Sequence, residues 1–248
     1  MKAIKLFLIP LWLFSIELKD TTINYKVSYG FFGELARSKL TLRVDNDRYR
    51  IDAEAYPVGV ASSMLKERKD TFSSRGYIEN STLKPTIFKN FSKSNERISK
   101  KVYKFDHKKE SVHYNREKSK KKYNWKLKTT SKENPFYSKN DIFTLFFNIM
   151  DQIPKLPTDK KNRFVVVGAN SKTGALDIVL PTGKSEKSIR KLLGAKKEEL
   201  VLKVFINRKI LSSSSGELYV ALDKDGYCSS AILKDVLLFG DLKIDRVK

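Results

Sequence analysis

Period-two alternation near the N-terminus constrains the fold of this chain more than any other feature. Apolar residues stand at every second position of "KLTLRVD" (39–45) and of "RYRIDAEA" (48–55), and "DND" (45–47) lies between them. A strand places alternate side chains on opposite faces, and Asp and Asn are common in tight turns. The pattern predicts two half-buried antiparallel strands joined by a hairpin.

The same alternation recurs at short spacing along the rest of the chain. Further strands are predicted at residues 69–78, 86–93, 96–106, 110–116, 119–129, 163–169, 174–180, 199–207, 217–223 and 228–236, and near Leu242. Turn residues such as "SKSN" (92–95) and "DKDG" (223–226) separate them. We therefore expect a mainly β protein with one continuous antiparallel sheet rather than two domains.

Three helices are predicted. The most apolar is "SKNDIFTLFFNIMDQI" (138–153), in which Ser138 and Asp141 are predicted to form a capping box. Its apolar residues cover nearly every side, so we expect it to lie in the concavity of a single strongly curved sheet; a membrane-binding or partner-binding helix is the alternative. A short helix is predicted within 58–68, and a surface helix over 182–194 begins at Thr182 and ends at Gly194.

The N-terminus "MKAIKLFLIPLWLFSIELKD" resembles an export signal. Two lysines precede an apolar run over residues 6–16, which is too short to cross a bilayer core of about 30 Å. We predict a signal peptide at 1–15, a single antiparallel β domain at 20–248, and a location in the periplasm of a Gram-negative type envelope. Cleavage after Ser15, retention as an anchor, and a buried N-terminal strand stay open as alternatives.

The chain is strongly basic, with a net charge of +22. Residues 96–132 hold fourteen Lys and Arg against four Asp and Glu, and such a field attracts anionic lipid, lipopolysaccharide or acidic glycan. Within this region, "SKKKYNWKLK" (119–128) reads as a strand. Its candidate ligand-binding residues, expected to point inward, are Tyr123, Trp125 and Leu127, and its candidate anion-facing row is Lys120, Lys122, Lys126 and Lys128. Nucleic-acid stacking needs both sets on one face, so we expect no nucleic-acid partner.

No catalytic constellation is apparent in the sequence. His107 and His113 flank a predicted hairpin and are expected to be solvated, because no further ligands cluster with them. Asp52 and Glu54 alternate with arginines and are expected to form surface ion pairs. The single cysteine, Cys228, is predicted to be a small buried side chain on a strand. We therefore expect no enzyme activity, no metal and no cofactor.

Several segments together resemble one bacterial exported family, the domain of unknown function 3108. The matching features are Tyr25, Val27, Tyr29, Gly30, Gly33, Asp70, Phe72, Gly76, Leu83, Pro85 and the pair Phe105–Asp106, with "GELYVALDKDGYCSSAILKDVLLFGDLKIDRV" (216–247) near the C-terminus. Residues 220–222 and 228–230 depart from the aromatic-led strand and the proline usual in that family. The resemblance implies a periplasmic protein with a half-barrel-like sheet around helices, similar to carriers and anchors of lipoproteins and lipids.

Two functions follow as expectations. The first is noncatalytic binding of an apolar or amphipathic ligand, or of an envelope partner, with the basic surface turned toward anionic lipid or glycan. The alternative is a structural or assembly factor of the cell envelope that docks another protein. An enzyme acting on glycan would need two close carboxylates in a cleft.

Overall fold

A computed structural model describes residues 18–169, 172–206, 213–236 and 240–247, and its strands form one antiparallel sheet. The fourteen strands are β1 (Thr21–Tyr29), β2 (Gly33–Asp45), β3 (Arg48–Pro57), β4 (Lys69–Glu79), β5 (Thr82–Ser94), β6 (Arg97–Asp106), β7 (Ser111–Lys120), β8 (Lys128–Glu133), β9 (Asn162–Val165), β10 (Ala175–Val179), β11 (Leu200–Phe205), β12 (Glu217–Leu222), β13 (Cys228–Val236) and β14 (Gly240–Val247). The prediction of one mainly β, antiparallel sheet is confirmed. The predicted signal peptide at 1–15 lies outside the described residues.

The strand order follows the chain in two runs, which meet in the middle of the sheet. Each strand pairs with the next from β1 to β8 and again from β9 to β14, and β1 pairs with β14. Strands β8 and β9 are the edges, so the sheet of the described residues is open rather than a closed barrel. The chain crosses between these edges through a helix, and Asp141 and Val167 form an isolated parallel bridge there.

The hairpin predicted from alternation is confirmed. In β2 and β3, Leu40 lies opposite Ala53 and Leu42 lies opposite Ile51. Leu42 and Ile51 are almost completely buried, whereas their sequence neighbours Arg43 and Arg50 are exposed on the other face. At the turn, Asn46 has a φ of 52°, which Asn tolerates better than most residues.

The strand predicted at 119–129 is wrong. Strand β7 ends at Lys120, a short 3₁₀ helix covers Lys121–Tyr123, and β8 begins at Lys128. The reason lies in the partner strand, because β6 starts at Arg97 and pairs that residue with Lys120. Beyond this pair β7 has no β6 residue to bond to, and the chain turns.

The helices are α1 (Val60–Met64), α2 (Ile142–Asn148) and α3 (Gly183–Leu193). Helix α3 ends at Gly194, with a φ of 64°, as predicted. The capping box of α2 differs from the prediction: the Asp141 carboxylate accepts from the backbone N–H groups of Phe143 and Thr144, and the Thr144 hydroxyl accepts from the Asp141 N–H. Ser138 instead donates to the carbonyl of Val165, at 2.6 Å.

Helix α2 contributes side chains to three apolar clusters. Phe147 packs with Ile23, Leu42 and Ile51 of β1 to β3. Ile142 and Phe143 pack with Phe88, Tyr103 and Val112 of β5 to β7. Leu145, together with Ile149 directly after the helix, packs with Ile178, Leu202 and Val220 of β10 to β12. We call the face of the sheet that carries these residues the helix side, and the other face the far side. Helix α3 packs on the far side, where Ile189 and Leu193 meet Val201 and Ala221.

Asn148, the last residue of α2, attaches the helix to the start of β5. Its carboxamide oxygen accepts from the Leu83 N–H, and its amide nitrogen donates to the Leu83 carbonyl, both at 2.9 Å. Leu83 is fully buried, so this side chain satisfies two backbone groups that water does not reach.

Replacing Asn148 with alanine should lower the free energy of unfolding by about 2–4 kcal/mol, because a buried N–H and a buried C=O lose their partner. Urea denaturation measures this loss. Asn24→Ala, at an exposed position of β1, is the control and should change stability by less than about 0.5 kcal/mol. Equal losses in the two variants would contradict the role of Asn148.

Candidate functional site

The turn between β7 and β8, residues 121–127, exposes three large apolar side chains, and we call it the hairpin tip. Tyr123 is 60% exposed, Trp125 41% and Leu127 62%. The prediction that they point inward is wrong, because it rested on a continuous strand through 119–129. In the turn the strict alternation of faces is lost, so apolar and basic side chains share one surface.

The four lysines expected to form one row lie in different elements. Lys120 ends β7, Lys122 lies in the 3₁₀ helix, Lys126 lies in the turn and Lys128 begins β8. The ammonium group of Lys122 lies 4.8 Å from the centre of the Tyr123 ring, and that of Lys120 lies 6.0 Å away. The Lys122 hydrogen bond and the surrounding positive charges lower the pKa of Tyr123 below its ordinary value. The tip is therefore a cationic surface with exposed aromatic rings.

Backbone hydrogen bonds hold the tip in a defined shape. The Trp125 N–H donates to the Lys120 carbonyl at 3.0 Å, and the Lys126 N–H donates to the Tyr123 carbonyl at 2.9 Å. Asn124 and Trp125 both adopt left-handed conformations, with φ of 49° and 57°. Such a conformation is unusual for a bulky residue and costs on the order of 1 kcal/mol. The turn thus displays the Trp125 ring at some cost to backbone energy.

Asp141, the residue that caps α2, has a fully buried carboxyl group. The Ser74 hydroxyl donates to it at 2.5 Å, beside the two backbone N–H groups of the cap. Burial raises its pKa to about 6, although the hydrogen bonds act in the opposite direction. These contacts give Asp141 a structural role at the point where α2 meets β4.

The histidines lie in different environments. His113 is exposed on the far side and contacts the Ser131 hydroxyl at 2.9 Å. His107 is half-buried rather than solvated, since its ring nitrogens contact the Tyr137 hydroxyl at 2.8 Å and the Pro85 carbonyl at 2.7 Å. In the described part of the chain, no group of three or more His, Cys, Asp or Glu side chains is arranged to hold a metal.

Cys228 is buried in β13, as predicted. Burial raises the pKa of its thiol to about 12. Since the thiolate is the reactive form, this side chain is a packing residue.

A groove of about 450 Å³ lies on the far side of β2 to β5 and is lined by Asp52 and Glu54. Asp52 pairs with Arg50 at 2.5 Å, and Glu54 pairs with Lys69 at 2.9 Å. The predicted surface ion pairs are confirmed. A general acid for glycan cleavage needs a carboxyl group in an apolar pocket, whereas these two are part-exposed beside cations.

Comparison with known proteins places the chain in a family without an assigned activity. Residues 24–188, which are 165 of the 248 residues, match the family described as "Protein of unknown function (DUF3108)". The chain belongs to this family. The DUF3108 match contains most of β1, all of β2 to β10 and the first half of α3, while β11 to β14 follow it. No curated protein and no solved structure matches the chain.

No helix among the described residues is long and apolar enough to cross a membrane.

Asp141→Asn should change how stability depends on pH. The carboxyl pKa is raised in the folded state, so its favourable contribution is complete below about pH 4 and is lost as pH rises through about 6. Asparagine caps a helix as well as aspartate, so the variant should gain up to about 3 kcal/mol relative to the native chain between pH 4 and pH 7.5. Urea unfolding at several pH values measures the difference.

Asp151→Asn, at an exposed position, serves as the control for this pH profile. Its difference from the native chain should stay flat over the same range. A flat difference for Asp141→Asn as well would show that burial of Asp141 does not affect stability through its charge.

Proposed function

We propose first that the sheet is strongly curved and wraps around α2. The helix has seven residues, a length of about 10 Å. Its side chains belong to the same apolar clusters as Val112 on β7 and Ile178 on β10, and these strands are eleven steps apart in the sheet. A flat sheet would separate these two strands by roughly 50 Å, so only a curved sheet allows one short helix to pack against both of them.

This packing favours binding at the outer surface over binding of an apolar ligand on the helix side. Side chains of α2 occupy the centre of the helix side, in all three of the clusters described above. An apolar ligand would have to displace them, at the expense of the burial energy that holds the helix. Binding at the outer surface needs no such displacement, and the hairpin tip is already exposed.

We propose that the protein is an exported, noncatalytic binding protein of the bacterial envelope that docks on an anionic lipid surface through the hairpin tip. The observation that carries the proposal is the exposure of Tyr123, Trp125 and Leu127 in the hairpin tip. Three lysines lie within the tip and two more lie directly beside it. Tyr and Trp favour the membrane interface. Each lysine near an anionic bilayer adds about 1 kcal/mol.

Acidic partners other than lipid are also attracted to the lysines, but they offer nothing that would cover the apolar side chains of the tip. Acidic glycan presents charge without a hydrocarbon layer, so it would leave Trp125 and Leu127 in water. A lipid surface takes both groups at once. Lipopolysaccharide offers both phosphate and acyl chains, and it therefore belongs with the lipid surfaces to be tested.

The alternative function, docking of an envelope protein, is favoured by one observation. All six residues of β8 are exposed, and among the described strands it pairs only with β7. Such an edge accepts an added strand from a partner, although its lysines also discourage unspecific pairing.

The lipid proposal is tested by vesicle binding of a chain that begins after the predicted signal peptide. Trp125 is then the only tryptophan, and its fluorescence should shift to the blue on vesicles containing an anionic lipid but not on zwitterionic vesicles. Replacing Tyr123, Trp125 and Leu127 with serine should weaken vesicle binding, measured by sedimentation, at least tenfold. Replacing Lys120, Lys122, Lys126 and Lys128 with glutamine should do the same at low salt.

Two control variants match these changes in number and type. Replacing Val60, Met64 and Leu65 with serine removes three exposed apolar side chains elsewhere, and replacing Lys184, Lys187, Lys191 and Lys197 with glutamine removes four exposed lysines. Both should bind vesicles as the native chain does. Absence of vesicle binding, or equal losses in tip and control variants, would refute the proposal; crosslinking in cells to one protein through β8 would then support the alternative.

A further inference from the structure

The helix side of β6 and β7 changes from apolar to basic along its length. On β6 this face carries Phe105, Tyr103, Lys101, Ser99 and Arg97, and on β7 it carries Val112, Tyr114, Arg116, Lys118 and Lys120. The apolar end packs with α2, and the rings of Tyr103 and Tyr114 lie 4.9 Å apart. The basic end lies beyond these rings, toward the hairpin tip.

The register of the two strands places cations opposite one another. Lys101 lies opposite Arg116, and Arg97 lies opposite Lys120. Lys118, between these pairs on β7, is itself opposite Lys128 of β8. Like charges directly opposite on one face destabilise an antiparallel pair. A negative charge placed among these three pairs would therefore stabilise them.

The described part of the protein places little negative charge beside these cations. Arg68 also lies close enough to Lys101 and Arg97 to repel both. The nearest carboxylate, Asp70, accepts two hydrogen bonds from Arg68, with nitrogen–oxygen distances of 2.8 and 3.1 Å. Among the residues that the structure describes, Arg97, Lys101 and Arg116 form no ion pair with a carboxylate.

Two polar atoms in the same cluster are buried without a partner. The Nε of Arg116 and the hydroxyl oxygen of Ser99 have no hydrogen bond within the described structure, and Ser99 is only 3% exposed. Ser99 stands between Arg97 and Lys101 on β6, diagonal to Arg116. Buried donors that lack an acceptor cost free energy, and an oxyanion would provide the acceptor.

The titration of Lys101 agrees with this geometry. Burial lowers its pKa, and repulsion by Arg116, Arg97 and Arg68 lowers it further. An anion bound between these groups would oppose this repulsion.

We propose that Arg68, Arg97, Ser99, Lys101 and Arg116 form a binding site for a phosphate group. Guanidinium groups hold two oxygens of a phosphate with paired hydrogen bonds, and the dense positive charge favours a doubly charged oxyanion over a carboxylate. The tyrosines beside the site offer an apolar continuation for an organic phosphate. The phosphate comes either from a soluble ion or from a lipid headgroup, and the site does not depend on docking by the hairpin tip.

Binding of inorganic phosphate to the full chain, measured by calorimetry at constant ionic strength, tests the site. The double variant Lys101→Gln with Arg116→Gln should lose at least tenfold in affinity. Lys89→Gln with Lys104→Gln removes two exposed lysines from the far side of the same sheet region, with the same change in net charge, and should stay within twofold of the native chain. A parallel titration with a water-soluble, short-chain phosphatidic acid distinguishes the two sources of phosphate.

Each result has a defined meaning. Equal affinity for both ligands indicates a soluble phosphate, and tighter binding of phosphatidic acid, lost in the same double variant, indicates a lipid headgroup. In phosphate-free buffer the melting temperature of the double variant should equal or exceed that of the native chain, because repulsion is relieved; a purely structural role would lower it.

Saturable binding of neither ligand would overturn the proposal, and so would an equal loss in the far-side control. The serine variant of Tyr123, Trp125 and Leu127 should keep its phosphate affinity, so failure of membrane docking and failure of this site can be told apart.

Discussion

The attachment of α2 to the sheet is the interaction on which the rest of the structure depends. Asp141 at the start of the helix bonds to Ser74 on β4, and Asn148 at its end bonds to both backbone groups of Leu83 on β5. Between these anchors, α2 covers apolar residues from both halves of the sheet. Without the helix, the apolar residues of these three clusters would lose this cover and face water, since a single open sheet has no second sheet to cover it.

Electrostatics and packing divide β6 and β7 into two parts. Aromatic residues occupy the part that meets α2, and cations occupy the part that extends past it. This division follows from the cost of burying charge, since Lys101 and Arg116 are accommodated only where the apolar core ends. The same end of these strands leads into the hairpin tip, so the proposed phosphate site and the exposed Trp125 belong to one basic region.

Through the pairing of β1 with β14, the sheet includes strands that lie beyond the DUF3108 match. Most of β1 lies inside the matched region, whereas its partner β14 lies close to the C-terminus. Apolar residues of the later strands, such as Leu202 and Val220, also form part of the core that receives α2. The matched residues alone would therefore leave one side of both β1 and α2 without their partners.

Alternation of residue types was enough to predict most strands and the β2–β3 hairpin, and a glycine at residue 194 was enough to predict the end of α3, because strand faces and helix ends depend on neighbouring residues. Three features depended on residues far apart in the chain. Strand β7 stops at Lys120 because β6 begins at Arg97, the cap residue Asp141 is held to β4 by the Ser74 hydroxyl, and the cations of β6 and β7 meet only through their register. The sequence determined which residues are apolar or charged and which share a strand face; the tertiary structure decided which of them meet, because pairing and burial are set by contacts that local pattern does not contain.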